Sequence, residues 1–160
     1  MTKEYTAYLS LGSNLGDREK YISDAINGII EKLDVIDYEV SPFYETEPWG
    51  NTNQPRFINA AMMIRTSVEP SRMLDITQEI ERELFRVRHE HWGARTIDID
   101  ILCVEGVTMN TPRLTLPHPY MTQRDFVLTP MADIAPGLRV NGKTISEWRK
   151  DLRDFGSVPL

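Results

Sequence analysis

Thr96-Ile97-Asp98-Ile99-Asp100-Ile101-Leu102-Cys103-Val104 reads as a β-strand whose two faces differ in kind. Side chains alternate along a strand, so Ile97, Ile99 and Ile101 point one way while Asp98 and Asp100 point the other. Aspartate is depleted in strands, and two on one face call for an explanation. Two residues of rise separate their α-carbons by about 6.6 Å, close enough for both carboxylates to converge on one metal ion or on a pair.

Upstream of this strand, Pro70 suits the first position of a helix, and Met73, Thr77, Ile80 and Leu84 form one stripe along it. Before that helix, Val35–Tyr44 and Phe57–Thr66 are rich in branched and aromatic residues and predict two strands. Asp17 is placed to cap an earlier helix, in which Tyr21, Ile22, Ala25, Ile26, Ile29, Ile30 and Leu33 recur at helical spacing. The first strand carries Tyr5, Ala7, Leu9 and Leu11 in alternation. It runs into Gly12-Ser13-Asn14-Leu15-Gly16, a tight strand-to-helix turn without the lysine and spacing of a P-loop.

The order strand, helix, strand, strand, helix, strand predicts an α+β protein. Its core is ferredoxin-like, βαββαβ, with helices mainly on one face of an antiparallel sheet. Past Val104, a stretch with Pro112, Pro117, Pro119 and Pro136 leads to an Asn141-Gly142 hairpin signal and a short helix after Ser146. This C-terminal extension is able to wall the open face.

At 160 residues the chain is expected to form a single domain, 1–160. Its balance of 41% hydrophobic and 26% charged residues is that of an ordinary globular protein. No apolar run reaches the length of a membrane span. Glu4, Asp17 and Glu19 interrupt any signal-peptide pattern, so a cytoplasmic protein with no membrane partner is expected. Cys103, the only cysteine, allows no intramolecular disulfide and no cysteine-based metal site.

A net charge of -6 argues against sequence-independent nucleic-acid binding, which draws its affinity from Lys and Arg on phosphates. Yet Arg86, Arg88, His89, His91 and Arg95 concentrate cations within ten residues, a field suited to one compact anion. Hard oxygen ligands beside such cations suit magnesium-bound phosphates. His89 and His91 have no third ligand at a zinc-like spacing.

His91-Trp92-Gly93-Ala94-Arg95-Thr96-Ile97-Asp98-Ile99-Asp100-Ile101-Leu102 resembles the signature of the 6-hydroxymethyl-7,8-dihydropterin pyrophosphokinases, also called 2-amino-4-hydroxy-6-hydroxymethyldihydropteridine diphosphokinases. Further segments match in family order: Gly12-Ser13-Asn14-Leu15-Gly16, Thr46-Glu47-Pro48-Trp49-Gly50, Phe57-Ile58-Asn59-Ala60-Ala61, Arg86-Val87-Arg88, and Leu116-Pro117-His118 with Arg124 and Phe126. The resemblance covers nearly the whole chain. It implies transfer of the terminal pyrophosphoryl group of ATP to the hydroxymethyl oxygen of the pterin, releasing AMP in folate biosynthesis.

By the same resemblance, Asp98 and Asp100 ligate two Mg2+ ions, and Arg86, Arg95, Asp98 and Asp100 form the catalytic set. The ATP-binding residues would be Gln78, Glu81, Arg86, Arg88, Trp92, Arg95, Ile101, Leu114, Thr115, His118 and Arg124. The pterin-binding residues would be Thr46, Glu47, Trp49, Phe57, Asn59, Trp92 and Phe126. A monomer acting on these two small molecules, with no nucleic acid, is expected.

The residue types fit those roles. Arginine engages two phosphate oxygens at once, aromatics stack on a flat bicyclic ring, and an amide such as Asn59 offers both donor and acceptor to its edge. Asn59 is a polar residue interrupting an apolar strand, and a buried amide requires partners. His91, Trp49, Phe57 and Pro119 depart from residues that other family members carry there. The alternative from another class is a non-enzymatic ferredoxin-like module binding nucleotide or RNA. An RNA binder would need exposed strand aromatics and a basic surface, whereas here a carboxylate pair occupies the face RNA would approach.

Overall fold

A computed structural model describes residues 3–14, 16–46, 56–88, 97–152 and 156–160. Strand β1 (Tyr5–Ser13) leads into α1 (Arg18–Lys32), whose N-terminus is capped by the Asp17 carboxylate accepting from the Lys20 backbone N–H at 3.2 Å. Strands β2 (Asp37–Val40), β3 (Tyr44–Thr46) and β4 (Phe57–Thr66) follow, then α2 (Pro70–Arg88) and β5 (Asp98–Val104). The extension adds a hairpin of β6 (Met109–Asn110) and β7 (Thr115–Leu116), then α3 (Asp125–Ile134). It continues with a second hairpin of β8 (Arg139–Val140) and β9 (Lys143–Thr144), α4 (Ile145–Asp151), and a last strand β10 (Val158–Pro159).

The main sheet runs β10-β3-β4-β1-β5, with β2 also paired to β4, and every pairing is antiparallel. This is the ferredoxin-like order expected of the βαββαβ core. Helices α1 and α2 pack on one face through Leu9, Leu11, Ile22, Ile29, Met62, Ile64, Met73 and Ile80. On the other face, Tyr8, Ala61, Leu102 and Cys103 pack against Val127, Leu128 and Met131 of α3 and Ile145 of α4. The long helices thus share one face, and the extension covers part of the other, as a wall.

Two expectations change in detail. Val35–Tyr44 is not one strand: Pro42, which has no N–H to give a ladder, separates β2 from β3. Ser41, Pro42 and Phe43 lie between the pairs Val40↔Met62 and Tyr44↔Asn59, where β4 offers only Ala61 and Ala60. The extra residue is a bulge, and Ser41 anchors it by donating its N–H to the Ala61 carbonyl and accepting the Ala61 N–H on Oγ, both at 2.9 Å. The last helix starts at Ile145 instead of after Ser146, because Thr144 and Glu147 form a capping box there. Helix α3 is not foreseen by the sequence reading, since Pro130 inside it breaks the ordinary helix pattern.

Candidate active site

Strand register sets the site. On the extension-facing side of the sheet, Gly12 stands between Asn59 on β4 and Asp98 on β5, and Ser10 stands between Ala61 and Asp100. One row therefore reads Tyr44, Asn59, Gly12, Asp98 across four strands. Small residues on the central strand leave a trough there. It encloses about 500 Å³ and is lined by Ser10, Gly12, Thr46, Phe57, Asn59, Asp98, Asp100, Tyr120, Gln123, Arg124 and Phe126.

The bulge at Ser41–Phe43 decides which β3 side chains reach that trough. Val40 and Phe43 pack on the helix side of the sheet. The added residue reverses the alternation, so Tyr44 turns to α3, where its hydroxyl donates to the Asp133 carboxylate, and Thr46 turns to the pocket. Thr46 Oγ1 accepts from Asn59 Nδ2 at 2.9 Å. Asn59 is 4% exposed, so this bond satisfies a buried donor and fixes which end of the amide is an acceptor. That acceptor, Oδ1, lies over Gly12, where even a methyl group would stand 2.8 Å away.

Strand β5 is an edge of the sheet, and its exposed ladder is tied down from α2. The Ile99 N–H, between the two aspartates, donates to Glu81 Oε2 at 2.8 Å. Glu81, expected at the nucleotide, thus also serves the strand that carries both carboxylates. A second bulge opposite Tyr8 and Leu9 puts Leu102 and Cys103 together on the extension side, with Ile99, Ile101 and Val104 in the helix-side core. Asp98 and Asp100 remain at the pocket. Among the described residues no group of three or more His, Cys, Asp or Glu side chains is placed to hold a metal. A cation here would rest on the two carboxylates, completed by ligands a substrate and water bring, the usual arrangement for magnesium with phosphates.

The far wall comes from the segment after β7. The His118 N–H donates to the Leu102 carbonyl at 2.7 Å, which fastens the segment to β5. His118 Nδ1 accepts from the Tyr120 N–H at 3.2 Å, leaving the ring proton to Nε2. Burial holds this imidazole below its ordinary pKa; the Asp100 carboxylate pulls it upward and the Arg124 charge pushes it down. The Arg124 guanidinium lies 5.3 Å from the Tyr120 ring centroid and 5.6 Å from that of Phe126. Two aromatic faces thus hold one cation at the pocket rim.

Seven residues singled out in the sequence meet in this pocket: Thr46, Phe57, Asn59, Asp98, Asp100, Arg124 and Phe126. Others lie apart from it. The Ile101 side chain is turned away into the helix-side core by strand alternation, so only its backbone is left to meet a nucleotide. Leu114 lines a separate hollow of about 320 Å³ between the start of α2 and the β6–β7 hairpin, next to Thr115, and Gln78 is exposed on α2. Glu47, Trp49, Trp92 and Arg95 lie outside the described residues, and for Arg86 and Arg88 the description extends to the helix backbone alone. Four pocket residues were missed. Ser10 and Gly12 share the alternation phase opposite Leu9 and Leu11 and could have been found that way; Tyr120 and Gln123 carry no periodic signal.

The family model described as 7,8-dihydro-6-hydroxymethylpterin-pyrophosphokinase (HPPK) matches residues 8–136. The 2-amino-4-hydroxy-6-hydroxymethyldihydropteridine pyrophosphokinase of Methylorubrum extorquens is 43% identical over 150 residues, spanning 94% of this chain and 95% of its own. The chain belongs to the HPPK family. The Bacillus subtilis pyrophosphokinase of the same name is 45% identical over 128 residues, 80% of this chain and 77% of its own. Among solved structures, a Plasmodium falciparum HPPK-DHPS crystal structure with pteroate superposes with a TM-score of 0.73 over 94% of this chain, at 19% identity. This chain spans only 42% of that longer one, so the likeness concerns the HPPK fold. Among the described residues no helix is long and apolar enough to cross a membrane.

Proposed function

We propose that this protein transfers the pyrophosphoryl group of ATP to the hydroxymethyl oxygen of 6-hydroxymethyl-7,8-dihydropterin, releasing AMP, as a cytoplasmic step of folate biosynthesis. One observation carries the reading: in a chain of the HPPK family, an amide-and-aromatic face and a carboxylate pair share one pocket of about 500 Å³. That volume suits a flat bicyclic ring with reacting phosphates at its edge.

Asn59 and Thr46 read the heteroatom edge of the pterin, and Phe57 and Phe126 contact its faces. Asp98 and Asp100 would hold two magnesium ions, for which their hard, anionic oxygens are suited. Magnesium bound there would neutralise triphosphate charge and ease ionisation of the acceptor hydroxyl. The hydroxymethyl oxygen forms a bond to the β phosphorus, the bond from that phosphorus to the α,β-bridging oxygen breaks, and AMP leaves with the electron pair. The hydroxyl proton departs to solvent or to a carboxylate. Arg124 and the Nε2–H of neutral His118 stabilise charge on the phosphate oxygens. Arg86, Arg88 and Arg95 supply further cations, Trp92, Trp49 and Glu47 complete the pterin contacts, and Gln78, Glu81, Leu114 and Thr115 receive the nucleoside. The whole chain works as one domain and as a monomer.

Incubation with ATP, magnesium and the pterin tests the reading. AMP formed only when both pterin and magnesium are present is the expected result. Formation of ADP, or no turnover by folded protein over a range of pH and metal, overturns it.

A further inference from the structure

We propose that Arg18 is a positioning residue for the pterin end of the pocket, a clasp that fixes where Thr46 and Phe57 stand; the proposal rests on the pterin reading above. Arg18 is the first residue of α1, where the positive end of the helix dipole disfavours a cation. Helix formation does not account for it, and its contacts do. Nη1 donates to the Arg56 carbonyl at 2.7 Å and pairs with the Glu45 carboxylate at 3.2 Å. Arg56 closes the triangle by donating to Glu45 at 3.3 Å.

Side-chain exposures of 28% and 26% place the Arg18–Glu45 pair partly out of water, where a charge-assisted contact counts for more than at an open surface. The two groups that Arg18 grips each precede a pocket residue. Glu45 leads to Thr46 and Arg56 leads to Phe57, and Thr46 and Phe57 are themselves cross-strand partners. Strand β3 is three residues long, and among the described residues that pair ends its ladder with β4. Arg18 supplies a side-chain tie across this end from a third element. Releasing the tie lets β3 and β4 part at the end that carries Thr46, whose hydroxyl orients the Asn59 amide. Asp98, Asp100, His118 and Arg124 stand on β5 and the segment after β7, outside this triangle. Loss of Arg18 therefore acts on the pterin and spares ATP.

The test is steady-state kinetics with both substrates varied, alongside thermal melting, on wild type, Arg18→Ala, Arg18→Lys and the double variant Arg18→Ala/Glu45→Ala. Arg18→Ala is expected to raise KM for the pterin about tenfold, the scale of one charge-assisted hydrogen bond. KM for ATP and kcat at saturating pterin stay within about twofold, the range of an untouched site. Lysine keeps the charge without the fork and restores part of the loss. The double variant binds pterin no worse than Arg18→Ala, because the two side chains act as one unit. Equal rises in both KM values, an unchanged pterin KM, or a lowered melting temperature with an unchanged ratio of KM values each overturn the clasp. Should Arg18→Ala not fold, Arg18→Lys is read in its place, with a smaller rise confined to the pterin KM as the expected result and the same overturning outcomes. A wild type that makes no AMP overturns the pocket reading and the clasp together, whereas an active wild type with an indifferent Arg18→Ala overturns the clasp alone.

Discussion

Gly12 and Asn59 fit each other so closely that a Cβ on the first would stand 2.8 Å from Oδ1 of the second. The absence of a side chain on β1 is what lets the amide lie across the sheet toward Asp98. Gly12→Ala is expected to push Asn59 off Thr46 and to weaken pterin binding by at least about tenfold, with about 1–3 kcal/mol of overpacking cost. Pterin titration and denaturant unfolding of the variant check both.

Asp100 and its neighbour Asp98 place two like charges on one strand face, so the metal-binding role proposed for them opposes stability. Asp100→Asn should lower kcat by about a hundredfold or more, given the electrostatic character of phosphoryl transfer. Its melting temperature without magnesium should be equal to or above that of wild type. A cooperative loss of stability together with the loss of rate would assign Asp100 a structural role instead.

Ser41 ties the β2–β3 bulge to β4 through its side chain, accepting the Ala61 N–H at 2.9 Å in a buried setting. Ser41→Ala leaves that donor without its acceptor and should cost about 1–3 kcal/mol. Because the bulge turns Thr46 to the pocket, pterin affinity should fall as well. Urea unfolding beside pterin titration reads the two effects separately.

Tyr8 and Cys103 lie together under α3, and burial is the main cause that pushes each of their pKa values up to about 12; the nearby Glu105 carboxylate adds to it. Both groups are favoured in their protonated form by folding. Their contribution is complete below the ordinary values of 9.0 for the thiol and 10.0 for the phenol, and is lost as pH climbs through that range toward 12. Unfolding free energy should therefore fall between pH 9 and 12, less steeply in Tyr8→Phe. At pH 8 the native thiol should react with a thiol reagent only as fast as the protein opens, as a labelling time course against unfolding rate would show.

The acid limb has the opposite sign. His118 sits below its ordinary pKa because burial favours the neutral ring. Stability from that neutral form is complete above about 6.5, the unperturbed value, and is lost as pH falls through the lowered value. Proton NMR of the His118 ring in the metal-free protein should show titration below 6.5, displaced further down in Asp100→Asn, which removes a carboxylate pulling it up.

The sequence by itself determined whatever depends on neighbours along the chain. Alternation separated Asp98 and Asp100 from Ile97, Ile99 and Ile101, helical spacing marked α1 and α2, and Asp17 stood where a cap was needed. Family order of short motifs named the chemistry, and Asn59 announced itself as an amide in an apolar strand. Only the tertiary structure decided which side chains share a pocket. The bulge at Ser41–Phe43 exists because β4 offers two residues where the chain between β2 and β3 brings three, and that count belongs to the pairing of distant segments. Without it Thr46 would face the helices. Helix α3, with Pro130 inside it, is held by packing on Leu102, Cys103 and Ala61 against its own local preference, and it brings Phe126 and Arg124 over the trough. Periodicity is a property of adjacent residues, whereas register, bulges and the fit of Gly12 to Asn59 arise from contacts between distant segments.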